Sequence, residues 1–205
     1  GAWVTPFILR EGVPGTLIAG YRSIWMCQNI YTPVLADLVW EMKSGAISSS
    51  GLIHKIENSS YDNNDLYFSR DDNKFFMTTN LSSSNPTWND RTAKLPATGL
   101  VEAIETDHLS NDVYIALNKK VYKSRDLGSS WTDISAGLPD VNIYCLVRDT
   151  SKTDGSMYAG TYTGVYYKNN NMSSWVSFNY QLPKAVWVRD MEISYAGKPS
   201  AYRLI

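Results

Sequence analysis

Carboxylates are the side chains in this sequence best suited to acid–base chemistry. Hydrolysis of a glycosidic bond needs two of them on either side of a cleft. Four lie in segments that we predict to be the first strands of successive sheets, namely Glu102, Glu105, Asp190 and Glu192. Nothing in their spacing selects one pair, so the sequence assigns no catalytic residue.

Arginine is the second group of interest, because its guanidinium binds carboxylates in a bidentate manner. Arg148 and Arg189 lie in or just after predicted first strands, and each is followed by an aspartate, Asp149 or Asp190, that would pair with it. Two arginines are too few for the arginine triad of a sialidase site.

The cysteines and histidines indicate no metal site. Cys27 and Cys145 are far apart in sequence, and neither His54 nor His108 lies near either of them, so the ligand spacing of a zinc site is missing. We predict two unpaired, buried cysteines, no metal and no cofactor.

Composition narrows the function classes further. The formal net charge is −1, which provides no electrostatic attraction to nucleic acid. No run approaches the roughly 18 apolar residues of a membrane span. Tyrosine and tryptophan are abundant, at 14 and 7 residues, and aromatic residues favour pleated, half-buried strands.

An internal repeat organises the whole chain. Four tryptophans are separated by 48, 43 and 44 residues, namely Trp40, Trp88, Trp131 and Trp175. Three Leu-Pro pairs, which begin at Leu95, Leu138 and Leu182, recur at 43 and 44 residues. A period near 44 residues is typical of the blades of a β-propeller.

Each repeat contains four short strand-like segments. In the clearest repeat they lie at 101–104, 113–117, 121–124 and 130–134. No segment has a sustained helical period with capping residues. We therefore predict an all-β fold, a propeller segment of about four four-stranded antiparallel blades plus a partial fifth.

The blade limits follow from the phase of the repeat. We predict one propeller fragment over residues 1–205, with blades at approximately 4–48, 49–96, 97–139 and 140–183 and a partial blade at 184–205.

One repeat contains a compact turn motif. Ser124, Asp126, Gly128 and Trp131 fit the pattern S-x-D-x-G-x-x-W between the third and fourth strands. The carboxylate would accept hydrogen bonds from the backbone of its own turn. The glycine would adopt a positive φ, and the indole would pack back over the hairpin. We interpret Asp126 as a turn-stabilising residue rather than a catalytic acid.

The other repeats contain degenerate copies of this motif. An asparagine takes the place of Asp126 in each of them, namely Asn29, Asn80 and Asn170, ahead of Trp40, Trp88 and Trp175. Asparagine can form much the same turn. The glycine is lost in these copies, so their turns are expected to be rearranged.

On these residues the chain resembles the Asp-box or BNR-repeat propellers, which include sialidases, xyloglucanases and sortilin-type receptor domains. It is most similar to the sortilin-like or glycosyl-hydrolase-BNR repeat arrays in large secreted proteins of Bacteroidetes. Those proteins often carry a sorting signal for type IX secretion. The resemblance implies an extracellular or cell-surface location and a longer parent polypeptide.

We therefore predict a non-catalytic interaction or scaffold module of a larger secreted or cell-surface protein, with an extracellular protein or a polysaccharide as its partner. The alternative is a fragment of a xyloglucanase-like or sialidase-like glycoside hydrolase whose active site is completed by other sequence. An open arc of blades would also self-associate through its ends. The candidate ligand surface consists of Trp3, Tyr162, Trp187, Arg148 and Arg189.

Overall fold

The chain folds into four consecutive four-stranded antiparallel sheets, followed by a two-stranded sheet. The structure is a computed structural model that describes residues 5–45, 51–183, 186–195 and 203–204. Within each four-stranded sheet, consecutive strands are hydrogen-bonded neighbours. The predicted all-β class, with four four-stranded antiparallel units, is confirmed. We refer to the four sheets as blades 1 to 4.

The strand bounds place every blade in chain order. Blade 1 contains β1 (Phe7–Leu9), β2 (Leu17–Gly20), β3 (Ile24–Cys27) and β4 (Trp40–Met42). Blade 2 contains β5 (Ile53–Asn58), β6 (Leu66–Arg70), β7 (Phe75–Thr78) and β8 (Asn89–Asp90). Blade 3 contains β9 (Val101–Thr106), β10 (Val113–Leu117), β11 (Lys120–Ser124) and β12 (Thr132–Asp133).

Blade 4 contains β13 (Ile143–Arg148), β14 (Met157–Thr161), β15 (Gly164–Lys168) and β16 (Val176–Ser177). The two-stranded sheet pairs β17 (Ile193–Ser194) with β18 (Arg203–Leu204). Helical structure in the described residues is limited to two 3-10 turns, Leu35–Asp37 and Thr92–Lys94. None of the described helices has the length and hydropathy needed to cross a membrane.

The hydrophobic cores lie between blades, because side chains alternate between the two faces of a strand. In blade 3, Ile104, Ile115 and Tyr122 share one register row and pack with residues of blade 2. Ala103 and Ala116 point to the other face and pack with blade 4. Blade 3 therefore depends on both neighbouring blades for the burial of its two faces.

The repeated tryptophans connect successive blades. Trp88 donates its indole N–H to the carbonyl oxygen of Lys43 over 2.9 Å, and Trp175 donates to that of Ile134 over 2.8 Å. Both acceptors belong to the preceding blade, three residues after its own repeat tryptophan. The indole thus ties its hairpin to the neighbouring blade by a hydrogen bond as well as by packing.

Trp131 occupies the same place without that hydrogen bond. Its ring packs edge-on against Phe75 of blade 2, with centroids 6.0 Å apart, and its Nε1 is buried with no partner among the described residues. We expected this indole to cover its own hairpin. It does lie beside Gly128, but its ring contact crosses the blade boundary, because the apolar surface available to it belongs to blade 2.

Blade 1 has an uncovered face. Two alternate register rows on one face of this blade contain Phe7, Leu9, Trp25, Trp40 and Met42. All five are exposed, Trp40 to 43%. The rows that correspond to these in blade 2 are buried against blade 1. No described sheet covers the equivalent face of blade 1. Self-association through this face remains a proposal.

Both cysteines are free and buried, as predicted. Cys27 lies in β3 and Cys145 in β13. Burial raises the pKa of the Cys145 thiol to about 11, so this side chain stays neutral and packs as a small apolar group.

Candidate functional site

The turn at residues 124–131 is a closed hydrogen-bonded unit. Asp126 Oδ1 accepts hydrogen bonds from the backbone N–H groups of Ser129 and Ser130, at 3.1 and 2.8 Å, and from the Ser124 hydroxyl. Its Oδ2 accepts from the Ser130 hydroxyl at 2.6 Å. The hydroxyls of Ser130 and Ser124 lower the pKa of Asp126 to about 2. The carboxylate is therefore ionised at neutral pH and fully engaged by its own turn.

The degenerate turns differ from one another. Asn80 Oδ1 accepts from the Thr78 hydroxyl and from the backbone N–H of Thr87, which is the pattern that Asp126 has. Asn29 adopts a positive φ of 57°. The side chain of Asn170 lies against Gly155, where a Cβ atom would come within 2.4 Å of it.

The candidate ligand surface is partly assembled by the fold. Trp187 lies 5.4 Å from Tyr144 and 5.7 Å from Tyr162, measured between ring centroids. Trp187 and Tyr162 are 49% and 54% exposed. The Arg189 guanidinium lies over the Trp187 ring at 4.7 Å. We call these four residues the aromatic cluster.

Arg148 is not part of this surface. It is only 3% exposed, its Nη2 pairs with Asp107 at 3.0 Å, and its Nη1 donates to the Tyr114 hydroxyl at 3.0 Å. Arg148 is the last residue of β13, and its guanidinium is internal. Its partner is Asp107 rather than the adjacent Asp149. Trp3 lies outside the described residues.

A cavity of about 780 Å³ lies beside the aromatic cluster. Its walls are residues 5–8 of blade 1, residues 52–56 of blade 2 and the segment that contains Arg189 and Asp190. On one side, His54 Nε2 lies 3.1 Å from Glu102 Oε2. The first strands of blades 1 and 2 and the segment after blade 4 thus surround one space that has both apolar and charged walls.

Two glutamates occupy equivalent positions further along the first strands of blades 2 and 3. Glu57 in β5 and Glu105 in β9 are each the fifth residue of their strand, and Glu57 Oε1 accepts from the Thr106 hydroxyl at 3.2 Å. Burial raises the pKa of Glu57 to about 8, with a smaller contribution from Glu11. Burial and the charge of Glu57 raise the pKa of Glu105, against the opposing charge of Arg148.

Glu105 is among the carboxylates singled out from the sequence, whereas Glu57 is not. The available signal is that each follows the start of a predicted first strand by a similar number of residues. The charge of Glu11 also contributes to raising the pKa of both glutamates. Among the described residues, no three histidine, cysteine or acidic side chains are arranged to hold a metal ion.

The raised pKa of Glu57 predicts a pH-dependent stability. The folded state holds the proton of the Glu57 carboxyl group up to about pH 8. This proton therefore stabilises the fold fully below the pKa that Glu57 has in the unfolded chain, and the stabilisation is lost as the pH rises towards 8. Glu57→Gln cannot ionise, so it should lose less stability than the wild type between pH 5 and pH 9. Urea midpoints at both pH values measure this difference.

The matched control is Glu192→Gln, a change at an exposed glutamate of the segment after blade 4. It should follow the wild-type pH profile. Equal losses for the wild type and Glu57→Gln would show that Glu57 ionises normally in the folded protein.

Comparison with known proteins fits this geometry. A family model described as the DUF6242 beta propeller domain matches residues 36–190. The GH74 xyloglucanase from Xanthomonas campestris has a similar solved structure, with a TM-score of 0.70 and 15% sequence identity. That alignment covers 93% of this chain and 32% of the xyloglucanase chain, and at this identity it shows the fold alone. No curated protein matches the chain.

Proposed function

We propose that this chain, which belongs to the family of the DUF6242 beta propeller domain, is a carbohydrate-binding module of a larger extracellular or cell-surface protein. The aromatic cluster is the observation that supports this proposal most directly. Propellers serve many unrelated functions, so the side chains of the site, rather than the fold, indicate the ligand.

The cluster offers two kinds of interaction to a sugar. The exposed faces of Trp187 and Tyr162 can pack against the apolar face of a sugar ring, and a large aromatic side chain provides much contact area with little loss of entropy. Arg189 and the polar groups in the cavity wall, such as His54 and Lys55, can bond to hydroxyl or acidic substituents. Pockets that combine apolar walls with a few converging polar groups are typical ligand sites.

Trp187→Ala should weaken glycan binding at least tenfold, about 1.4 kcal/mol, because central aromatic residues dominate binding energies. Titration calorimetry against a panel that includes xyloglucan oligosaccharides would measure the loss. Tyr180→Ala is the matched control, since this tyrosine is exposed and outside the cluster. Equal affinities for both variants, or no glycan bound by the wild type, would contradict the proposal.

Glycoside hydrolysis is the second candidate, and the Glu57–Glu105 pair favours it. A carboxylic acid that keeps its proton at neutral pH can serve as a general acid beside a second carboxyl group. In this case the active site would be completed by sequence outside this chain. Release of reducing sugar from xyloglucan or a sialoside, abolished by both Glu57→Gln and Glu105→Gln, would favour the enzyme over the binding module.

A further inference from the structure

A second cavity, of about 190 Å³, lies at the junction of blades 3 and 4. Three cationic side chains contribute to its walls, namely Lys123 in β11, Arg125 in the turn that follows and Lys168 at the end of β15. Asn169 and Asn170 also line it, and Trp175, Met157 and Ile134 form an apolar part. Its volume exceeds that needed for several water molecules.

Two of the three cations have no acidic partner. Lys123 pairs with Asp112 at 2.5 Å. No carboxylate among the described residues lies within ion-pair distance of Arg125 or Lys168. Lys168 donates to the carbonyl oxygen of Met172, and burial lowers the pKa of its ammonium group. Two cations without an ion-pair partner among the described residues therefore line the same cavity.

The neighbouring carboxylates are already engaged. Asp126 lines an adjoining cavity, but its two oxygens accept hydrogen bonds from residues 124, 129 and 130. Asp154, next to Gly155 in the cavity wall, accepts from the Ser156 hydroxyl and from Asn169 Nδ2. The side-chain donors of Arg125 thus remain available to a ligand.

From the convergence of Arg125 and Lys168 on one cavity, with Asn170 in its wall, we infer that the junction of blades 3 and 4 binds a tetrahedral oxyanion, namely a sulfate or phosphate group. A guanidinium from the turn after β11 and an ammonium group from the end of β15 suit the several oxygens of such a group. The group comes either from a free ion or from a sulfated sugar. This inference does not depend on the aromatic cluster.

The test uses the indole N–H signal of Trp175 in two-dimensional NMR spectra of the whole chain. This indole borders the cavity and is bonded to Ile134, so a bound oxyanion should shift its signal. Sodium sulfate should produce a saturable shift, and sodium chloride at equal ionic strength should not. The spectroscopic readout is needed because sulfate also stabilises proteins by exclusion from their surface.

Arg125→Gln and Lys168→Gln should each weaken sulfate binding about tenfold, as expected for the loss of one charge-assisted hydrogen bond. Lys94→Gln removes an exposed lysine of blade 2 and should bind as the wild type does. A wild-type signal that does not move, or a shift retained in the Arg125→Gln/Lys168→Gln double variant, would overturn the inference.

A sulfated disaccharide and its unsulfated counterpart identify the source of the group. Tighter binding of the sulfated disaccharide than of inorganic sulfate would assign a glycan ligand, and equal affinity would assign the free ion. Binding of the unsulfated disaccharide with the same Trp175 shift would show recognition of the sugar instead, and would overturn the inference while leaving the proposed carbohydrate binding intact.

Discussion

Replacing Trp175 with alanine should lower the free energy of unfolding by about 3–5 kcal/mol, the range for a large aromatic residue removed from a core. Trp175 is 3% exposed and packs in the core that blades 3 and 4 share. The change also leaves the carbonyl oxygen of Ile134 without the indole donor that it now has. Urea denaturation monitored by circular dichroism would measure the loss.

Trp40→Ala is the matched control, because it makes the same change at the same position of the repeat. Trp40 is 43% exposed, and no described blade packs on it. We expect a loss of about 1 kcal/mol or less. Similar losses for Trp175→Ala and Trp40→Ala would mean that these tryptophans act within their own hairpins, and that the contact between blades contributes little.

The second large effect concerns the buried ion pair of Arg148. Arg148→Met should lower the free energy of unfolding by about 3–5 kcal/mol, because it leaves Asp107 buried without its cation. Asp107 is 7% exposed, and its Oδ2 lies 3.0 Å from Arg148 Nη2. The Tyr114 hydroxyl also loses its donor. Chemical denaturation at pH 7 would measure this effect.

Arg189→Met is the control for loss of an arginine from an exposed segment, and it should change stability by about 0.5 kcal/mol or less. The double variant Arg148→Met/Asp107→Asn should be more stable than Arg148→Met alone, because the second change removes the stranded charge. If the double variant is no more stable, the cost of Arg148→Met comes from lost packing and not from the charge.

The repeat made the class of fold predictable from sequence. Tryptophans with a period near 44 residues set the number of sheets, and the alternating segments between them set the strands. The turn at Ser124 was also readable, because every bond of Asp126 joins residues within six positions of each other in the chain. Local hydrogen bonding of this kind needs no knowledge of the tertiary structure.

Contacts between repeats were not predictable in the same way. Arg148 was predicted to belong to the ligand surface, with its sequence neighbour Asp149 as a possible partner, whereas the acid that it pairs with lies 41 residues earlier, in blade 3. Tyr144 was missed because its role depends on Trp187, which comes from a later segment. In both cases the deciding distance lies between blades, and the repeat period alone does not give it.

The uncovered face of blade 1 has a consequence for how stability is distributed along the chain. Blades 2, 3 and 4 each contribute to two hydrophobic cores, whereas blade 1 contributes to one. In an array where each unit is stabilised mainly by its nearest neighbours, a unit that packs on one neighbour opens more easily than a unit that packs on two. Among the described blades, local unfolding should therefore begin at blade 1, which should lose its structure before the sheets on either side of the junction of blades 2 and 3.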